Sequence, residues 1–341
     1  MPFLADIEPD EAGPSALEVS RRYGIALQDI VILSRNENPY GPSPRVREAL
    51  SEAPLHRYPD SQPFVSAVAN YAGFPEENIV AGAGMDEIIM NIVRLFLGTG
   101  DKALIPVPTY NLYGLAVRLC GAQPVYQPRC SGFEVNPYIP DEMKMVFICS
   151  PNNPTGNPIS EETARAIIEG TEGIVFLDEA YAEFAGRSLI SLVKDHDNLV
   201  VGRTLSKAFG LAGMRLGYAV APPWMAAWYR RVAPLFSMSS TSLAAGVVAL
   251  KDLDYMKKTT AKIIAERERL LLRLDGAHPS QGNFICISTQ ERSSLVAERL
   301  LCQGVVVRDC SSYPGAGRHC LRVSIGTPEQ NDRFLEAFAK A

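Results

Sequence analysis

Short apolar runs alternate with amphipathic stretches along most of this chain. Residues 145–148, 174–177 and 199–201 are continuous hydrophobic segments, which is typical of parallel strands that are buried on both faces of a sheet. Between Ile88 and Phe96 the apolar residues recur instead at helical spacing. Over residues 33–230 this alternation predicts a mainly parallel sheet with helices on both faces.

A second alternation of helix and strand fills the C-terminal part. A helix-rich stretch at 243–274 leads to a strand at 283–288, a helix at 293–302, and strands at 305–307 and 320–325. The last helix is expected to begin after Thr327, because the order Thr, Pro, Glu, Gln at 327–330 is a capping-box pattern.

These elements predict an α/β protein in three parts. The parts are an N-terminal arm (1–32, helical around 15–23), a large domain (33–242) and a small C-terminal domain (243–341) that packs with the arm.

One lysine stands in unusually apolar surroundings. Lys207 lies in VGRTLSKAFGLAGMRLG, between Leu205 and Phe209, just after a predicted strand. A lysine that is removed from water loses its proton more easily, and the neutral amine can form a Schiff base with an aldehyde. A lysine that points to solvent at a strand-to-helix corner fits this segment equally well.

Polar residues follow two other predicted strands. Asp178 and Glu179 stand at the carboxyl end of one strand, where open α/β sheets place ligand-binding groups. A buried carboxylate needs a cationic partner such as the protonated pyridine of pyridoxal phosphate (PLP), although Asp178 could equally be a helix N-cap. The loop CSPNNPTGN brings the amide of Asn153 to the same edge, and its turn dipeptides also suit a plain tight loop.

Taken in order, seven segments of the chain resemble the fold-type I PLP-dependent aminotransferases, and most closely the histidinol-phosphate aminotransferases. The segments are LSRNENPYGPSP, RYPD, GAGMDE, PTYNLYG, SPNNPTGN, FLDEAYAEF and RTLSKAFGLAGMRLGYAVA, and the resemblance as a whole extends from about residue 33 to residue 341. Each segment alone is a weak signal, but seven in order at compatible spacing are specific. The resemblance implies the large PLP-binding domain and smaller α/β domain of that fold.

The resemblance also implies a role for each matching residue around the cofactor ring. Lys207 would hold PLP through a Schiff base and later move the proton between the substrate and the cofactor. Asp178 would pair with the pyridine nitrogen. Tyr181 and Asn153 would hydrogen-bond the ring oxygen, and Tyr110 would stack on the ring.

The cofactor phosphate would be held at a different set of positions. The resemblance implies Thr204, Ser206 and Arg215, together with the backbone amides of Met85 and Asp86. Those two amides would open a helix, and a helix N-terminus is a favourable anion site. Tyr58 would reach the phosphate of a neighbouring subunit's cofactor, so the resemblance implies a homodimer.

Two arginines near the C-terminus would bind the substrate. Arg322 resembles the family's arginine for the substrate α-carboxylate, and a planar guanidinium suits a carboxylate. Arg308 matches in position the arginine used for the phosphate of histidinol phosphate. An exposed ion pair is the plain alternative for either residue.

The function implied is transamination between glutamate and imidazole-acetol phosphate, which yields histidinol phosphate in histidine biosynthesis. Two other reactions of the superfamily stay open: aromatic amino acid transamination and threonine-phosphate decarboxylation. A non-catalytic protein that senses PLP is a further alternative. The family's N-terminal Tyr-x-Pro-Gly segment has no clear match in the region that begins EPDEAGPSALEVS.

The composition of the chain limits the classes of binding partner that are expected. The net charge of -5 argues against general affinity for nucleic acid, and no apolar run is long enough to span a bilayer. Seven cysteines without a CxxC pair suggest reduced thiols in a cytoplasmic protein. The four histidines show no metal-ligand spacing, so no metal is expected.

Overall fold

The structure is a computed structural model that describes residues 13–341; residues 1–12, which begin the predicted arm, lie outside the described part. The helices of the described part are α1 (Ala16–Tyr23), α2 (Arg45–Glu52), α3 (Gln62–Ala72), α4 (Met85–Phe96), α5 (Leu112–Leu119), α6 (Glu161–Glu169), α7 (Ala182–Ala185), α8 (Pro223–Val232), α9 (Ser240–Lys251), α10 (Leu253–Leu271), α11 (Ser293–Leu301) and α12 (Pro328–Phe338). The strands are β1 (Val31–Ile32), β2 (Ile79–Gly82), β3 (Lys102–Val107), β4 (Gln123–Pro128), β5 (Met143–Cys149), β6 (Ile174–Asp178), β7 (Leu199–Thr204), β8 (Gly217–Val220), β9 (Phe284–Ser288), β10 (Val305–Val306), β11 (Arg308–Asp309) and β12 (Cys320–Ser324).

The predicted parallel sheet is present and has seven strands. Their order is β2-β8-β7-β6-β5-β3-β4, and only β8 runs antiparallel to its neighbours. Every residue of β6 and β7 is buried, because hydrophobic clusters fill both faces of the sheet beneath the flanking helices. The α/β fold class predicted from the apolar runs is therefore confirmed.

The register of the sheet brings the predicted motifs to one edge. Cys149 lies opposite Asp178, and Asp178 lies opposite Gly202, so β5, β6 and β7 end side by side. The loops that follow these parallel strands start from the same edge as the loop after β3. In open α/β sheets this carboxyl edge is where ligands bind.

Two smaller sheets form beside the large one. Strands β11, β12 and β9 make an antiparallel sheet, and β1 pairs with β10 in parallel. The strand predicted at 305–307 is present as β10, but it ends at Val306; after Val307 the chain changes partners and continues as β11. An apolar run shows that a segment is extended, but not which strand it pairs with. The change of partner sets Arg308 directly opposite Arg322.

Helix ends follow the capping rules. At α12 the side chain of Thr327 accepts a hydrogen bond from the backbone amide of Gln330, and the side-chain oxygen of Gln330 accepts one from the backbone amide of Thr327, as predicted. Ser15 and Glu18 form the same box at α1. No helix in residues 13–341 is both long enough and apolar enough to cross a membrane.

We predict that Thr327→Ala lowers the free energy of unfolding by about 1 kcal/mol, because the first turn of α12 loses its side-chain acceptor. Chemical denaturation followed by circular dichroism measures this change. Ser294→Ala is the matched control, since Ser294 is an exposed residue inside α11. Equal unfolding free energies for the two variants would contradict the assigned cap.

Candidate active site

A cavity of about 470 Å³ lies at the carboxyl edge of the large sheet. Its volume is in the range of small-molecule sites. Twelve of the thirteen predicted site residues line it, namely Met85, Asp86, Tyr110, Asn153, Asp178, Tyr181, Thr204, Ser206, Lys207, Arg215, Arg308 and Arg322. A wider cleft of about 960 Å³ opens beside it and shares Asp86, Tyr110 and Arg308.

Asp178 is a buried carboxylate without a cationic neighbour. Only 4% of its surface is exposed, and it forms no ion pair with any residue in 13–341. The Tyr113 hydroxyl donates to its Oδ2 at 2.6 Å, and the backbone amide of Ala180 donates to its Oδ1 at 3.0 Å. Burial raises the pKa of Asp178 to about 6 in spite of these two hydrogen bonds.

Lys207 lies across the cavity in a turn that is fixed by the preceding strand. Its Nζ donates to the backbone oxygen of Arg35 at 3.0 Å and lies 6.0 Å from the centre of the Tyr181 ring. Burial, and secondarily the charge of Arg322, lower the pKa of Lys207 to about 8. The amine is therefore partly neutral near physiological pH, as the apolar surroundings in the sequence predict.

The hydroxyl of Tyr181 is held by an asparagine from the N-terminal segment. Asn36 donates from Nδ2 to the Tyr181 oxygen at 3.0 Å, and both side chains are buried. Burial raises the pKa of Tyr181 well above its usual value. The phenol therefore stays protonated and keeps its own hydrogen to donate into the cavity.

The start of α4 and the groups near it have a chemistry that suits an anion. The first amides of α4 have no carbonyl partner within the helix. Gly84 has a φ of 87°, and a Cβ on Gly217 would come within 2.6 Å of the Gly84 backbone, so two glycines allow the turn. Arg215 donates from Nη2 to the side chain of Asp86 at 3.0 Å. The hydroxyl residues Thr204 and Ser206 also line the cavity.

Arg322 and Arg308 line the cavity from β12 and β11, where they lie opposite each other in the small sheet. Arg322 is 5% exposed and donates from Nη1 to the Asn153 side chain at 2.6 Å. Its Nε is buried and has no hydrogen-bond partner among residues 13–341. Arg308 is also largely buried, with its guanidinium 5.3 Å from the centre of the Tyr313 ring. Both arginines are therefore buried side chains and not exposed ones.

Tyr58 is the one predicted site residue that does not line the cavity. Its side chain is 80% exposed and stacks on Phe236, with ring centres 4.4 Å apart. Leu55 and Leu235 are also exposed by more than four fifths.

Three positioning residues were missed in the sequence. Tyr113 contacts Asp178, Asn36 contacts Tyr181, and Asn152 accepts hydrogen bonds from Thr109 and Arg129, each at 2.8 Å. The Asn152 contacts connect the loop that carries Asn153 with the segments that follow β3 and β4. All three lie inside the quoted motifs, so their only signal was closeness to an assigned residue.

The cavity fits PLP on several separate observations. It offers a partly neutral lysine, a carboxylate that lacks a cation, and a helix N-terminus with hydroxyls and an arginine nearby. An aldehyde, a basic ring nitrogen and a phosphate ester would each meet a matching group there.

Comparison with known proteins identifies the family. A family model described as aminotransferase class I and II matches residues 28–338. The chain belongs to the class I and II aminotransferases. Histidinol-phosphate aminotransferase of Methanosarcina mazei is 43% identical over 347 residues, which cover 98% of this chain and 94% of that protein. The resemblance seen in the motifs is therefore confirmed.

Solved structures agree on the fold. Histidinol-phosphate aminotransferase of Clostridium acetobutylicum has a TM-score of 0.86 at 25% identity and covers 91% of this chain and 98% of its own. Histidinol-phosphate aminotransferase of Sinorhizobium meliloti, solved in complex with pyridoxal-5'-phosphate, has a TM-score of 0.86 at 25% identity. The match covers 100% of this chain and 97% of that chain. The predicted fold type is confirmed.

We predict that Lys207 in the cofactor-free protein is methylated by formaldehyde and a mild reductant with a rate that rises up to about pH 8 and then levels off. The neutral amine is the reactive form, and its fraction follows the lowered pKa. Peptide mass spectrometry reports the modification at this position. A rate that keeps rising well above pH 8 would contradict the lowered pKa.

Proposed function

We propose that this enzyme uses PLP to transfer an amino group between glutamate and imidazole-acetol phosphate, with histidinol phosphate as product. The observation that carries the cofactor assignment is the buried Asp178 without a cationic partner. A protonated ring nitrogen would supply the missing charge. Relatives of about 40% identity that are named histidinol-phosphate aminotransferase support the substrate.

When bound, PLP supplies an aldehyde for amino groups and a ring that takes up electrons. Asp178 would keep the ring nitrogen protonated. Nζ of Lys207 would bind the aldehyde and, once released, take the proton from the substrate Cα. Its pKa of about 8 suits both roles, because a base works best when its pKa is near the operating pH.

The other cavity residues would bind and orient. Tyr181 would donate its hydroxyl hydrogen to the ring oxygen, assisted by the amide of Asn153, and Tyr110 would cover the ring face. Arg215, Thr204, Ser206 and the first amides of α4, at Met85 and Asp86, would hold the phosphate. These assignments follow the resemblance and agree with the position of each side chain at the cavity.

Arg322 and Arg308 would take the charged ends of the substrates. The unpartnered Nε of Arg322 leaves a donor for a carboxylate beside the bond to Asn153. Arg308 lies where the cavity meets the wider cleft, so a longer substrate with a phosphate could reach it. Two cations at one cavity suit donors and acceptors that carry either a carboxylate or a phosphate.

We infer a homodimer in which Tyr58 enters the partner's site. Tyr58 does not line its own cavity but stacks on Phe236 at the surface, and Leu55 and Leu235, near these two residues in the sequence, are also exposed. A second copy of the chain would cover these side chains. A cytoplasmic location follows only from the cysteine pattern and the biosynthetic role.

We propose the same division into arm, large domain and small domain as the sequence analysis. The seven-stranded sheet lies within 79–220 and the three-stranded sheet within 284–324. The proposed boundary at residue 242 falls inside α9. Gly246 of this helix lies against Phe64 and Leu216, so the helix packs on the large domain.

We predict that Arg308→Gln lowers kcat/KM for histidinol phosphate by about tenfold to a hundredfold, the loss expected for a charge-assisted contact. Steady-state assays with histidinol phosphate, phenylalanine and threonine phosphate, scored for amino transfer and for CO₂ release, test both the residue and the substrate. Arg318→Gln is the control, because Arg318 is exposed and outside the cavity.

Two results would count against the proposal. If phenylalanine is the preferred donor, the enzyme is an aromatic aminotransferase. If threonine phosphate loses CO₂, it is a decarboxylase.

We predict that mixing Tyr58→Ala with Lys207→Ala restores activity that neither variant has alone. In a mixed dimer one site would combine an intact Lys207 with an intact Tyr58 from the partner. Random exchange gives half mixed dimers with one good site each, or about a quarter of wild-type activity. No recovery after verified subunit exchange would contradict the crossing tyrosine.

A further inference from the structure

Tyr113 lies within one of the sequence motifs but has no role assigned from it, and its side chain contacts Asp178. Tyr113 is fully buried near the start of α5, and its hydroxyl donates to Oδ2 of Asp178 at 2.6 Å. At this length the contact is a strong hydrogen bond to a charged acceptor. The other carboxylate oxygen is held by the backbone amide of Ala180. Both oxygens of Asp178 are therefore fixed by the protein before any ligand binds.

The ring of Tyr113 is itself held on two sides. It stacks on Phe147, with centres 4.8 Å apart and planes 12° apart, and it meets the edge of Tyr110 at 5.7 Å. Phe147 belongs to the buried strand β5, so the ring rests on a rigid element. The Tyr113 side chain thus contacts two residues that line the cavity, the carboxylate of Asp178 and the ring of Tyr110.

We propose that Tyr113 is a positioning residue that keeps Asp178 ionised and correctly oriented for the cofactor nitrogen. The proposal rests on the proposed function for the identity of the group that Asp178 meets. The hydrogen bond itself is a property of the protein and is independent of that function.

The charges around Asp178 make such a donor necessary. Burial favours the neutral carboxylic acid, and the nearby carboxylates of Asp86 and Glu179 raise the pKa of Asp178 further. The Tyr113 hydroxyl opposes both effects by stabilising the ionised form. The titratable and charged groups that face this pair from the surrounding elements are Asp86, Tyr110, Arg129, Cys149, Glu179 and Tyr181.

Arg129 is the one cation among those groups, and it does not replace the missing partner. It donates to the Pro108 oxygen at 3.1 Å and to the Asn152 side chain at 2.8 Å, so its hydrogen bonds go to neutral acceptors. Tyr113 therefore supplies the only side-chain donor to Asp178 among residues 13–341.

The test is a titration of Asp178 by ¹³C NMR, with aspartate labelled at the carboxyl carbon and the signal assigned by its loss in Asp178→Asn. Tyr113→Phe keeps the stacked ring and removes the donor. Its Asp178 midpoint should rise by about one pKa unit or more, the value of a hydrogen bond to a charged acceptor. Replacing Tyr113 by 3-fluorotyrosine, a nearly isosteric and more acidic phenol, should lower the midpoint.

The holoenzyme gives a second readout. The acid limb of kcat should move to higher pH in Tyr113→Phe, while KM for glutamate stays unchanged. Tyr229→Phe is the matched control, because Tyr229 is equally buried but contacts Asn91 on α4 and does not line the cavity. Its midpoint and pH profile should match the wild type.

The Asp178 midpoint is expected to rise in Tyr113→Phe and to fall with 3-fluorotyrosine. These opposite shifts distinguish a positioning role of Tyr113 from a role in packing alone. If the midpoint stays at the wild-type value in both Tyr113 variants, the proposal is overturned. Should wild-type protein transfer no amino group, the proposed function fails, yet the NMR titration still decides the role of Tyr113. If Tyr113→Phe does not fold, the fluorinated protein alone gives the sign.

Discussion

The organisation of this molecule depends on a carboxylate that is enclosed in protein without a cation beside it. Transfer of an ionised group from water to the interior is costly unless it is paired, and Asp178 has only hydrogen bonds to compensate for the lost hydration. The cost is tolerated because β6 is the central strand of a sheet covered on both faces, which leaves its end no route to solvent except the cavity. Under the proposed function, a protonated ring nitrogen of the cofactor would supply the missing charge.

The same enclosure sets the chemistry of Lys207. Low dielectric surroundings penalise its ammonium form just as they penalise the carboxylate of Asp178, so the two pKa values move toward each other from opposite directions. Pairs of titratable groups that are perturbed in this way mark functional sites. For Lys207 the lowered pKa comes mainly from burial and not from a salt bridge, which explains why the mostly apolar residues around it in the sequence could signal it.

Much of the site could be predicted because its residues follow strands. Asp178, Asn153 and Lys207 each come just after an apolar run, and parallel strands bring their carboxyl ends together whatever the details of packing. Tyr113 and Asn36 could not be assigned, since each acts through a contact with a residue far away in the chain. The change of strand partner at Val307 was missed for the same reason: pairing is a tertiary choice that local periodicity does not encode.

Asn36 shows how the two sheets are joined at the cavity. Its backbone has a φ of 53°, an unusual left-handed conformation that a short polar side chain tolerates best. Its amide donates to Tyr181, its backbone amide donates to Ser324 on β12, and its carbonyl accepts from Asn283 before β9. Arg322 lies two residues before Ser324 on the same strand and contacts Asn153. A shift of the small sheet would therefore move Arg322 together with the side chain that donates to the hydroxyl of Tyr181. Buried hydrogen bonds through Asn36 therefore connect the strand that carries Arg322 with the hydroxyl of Tyr181.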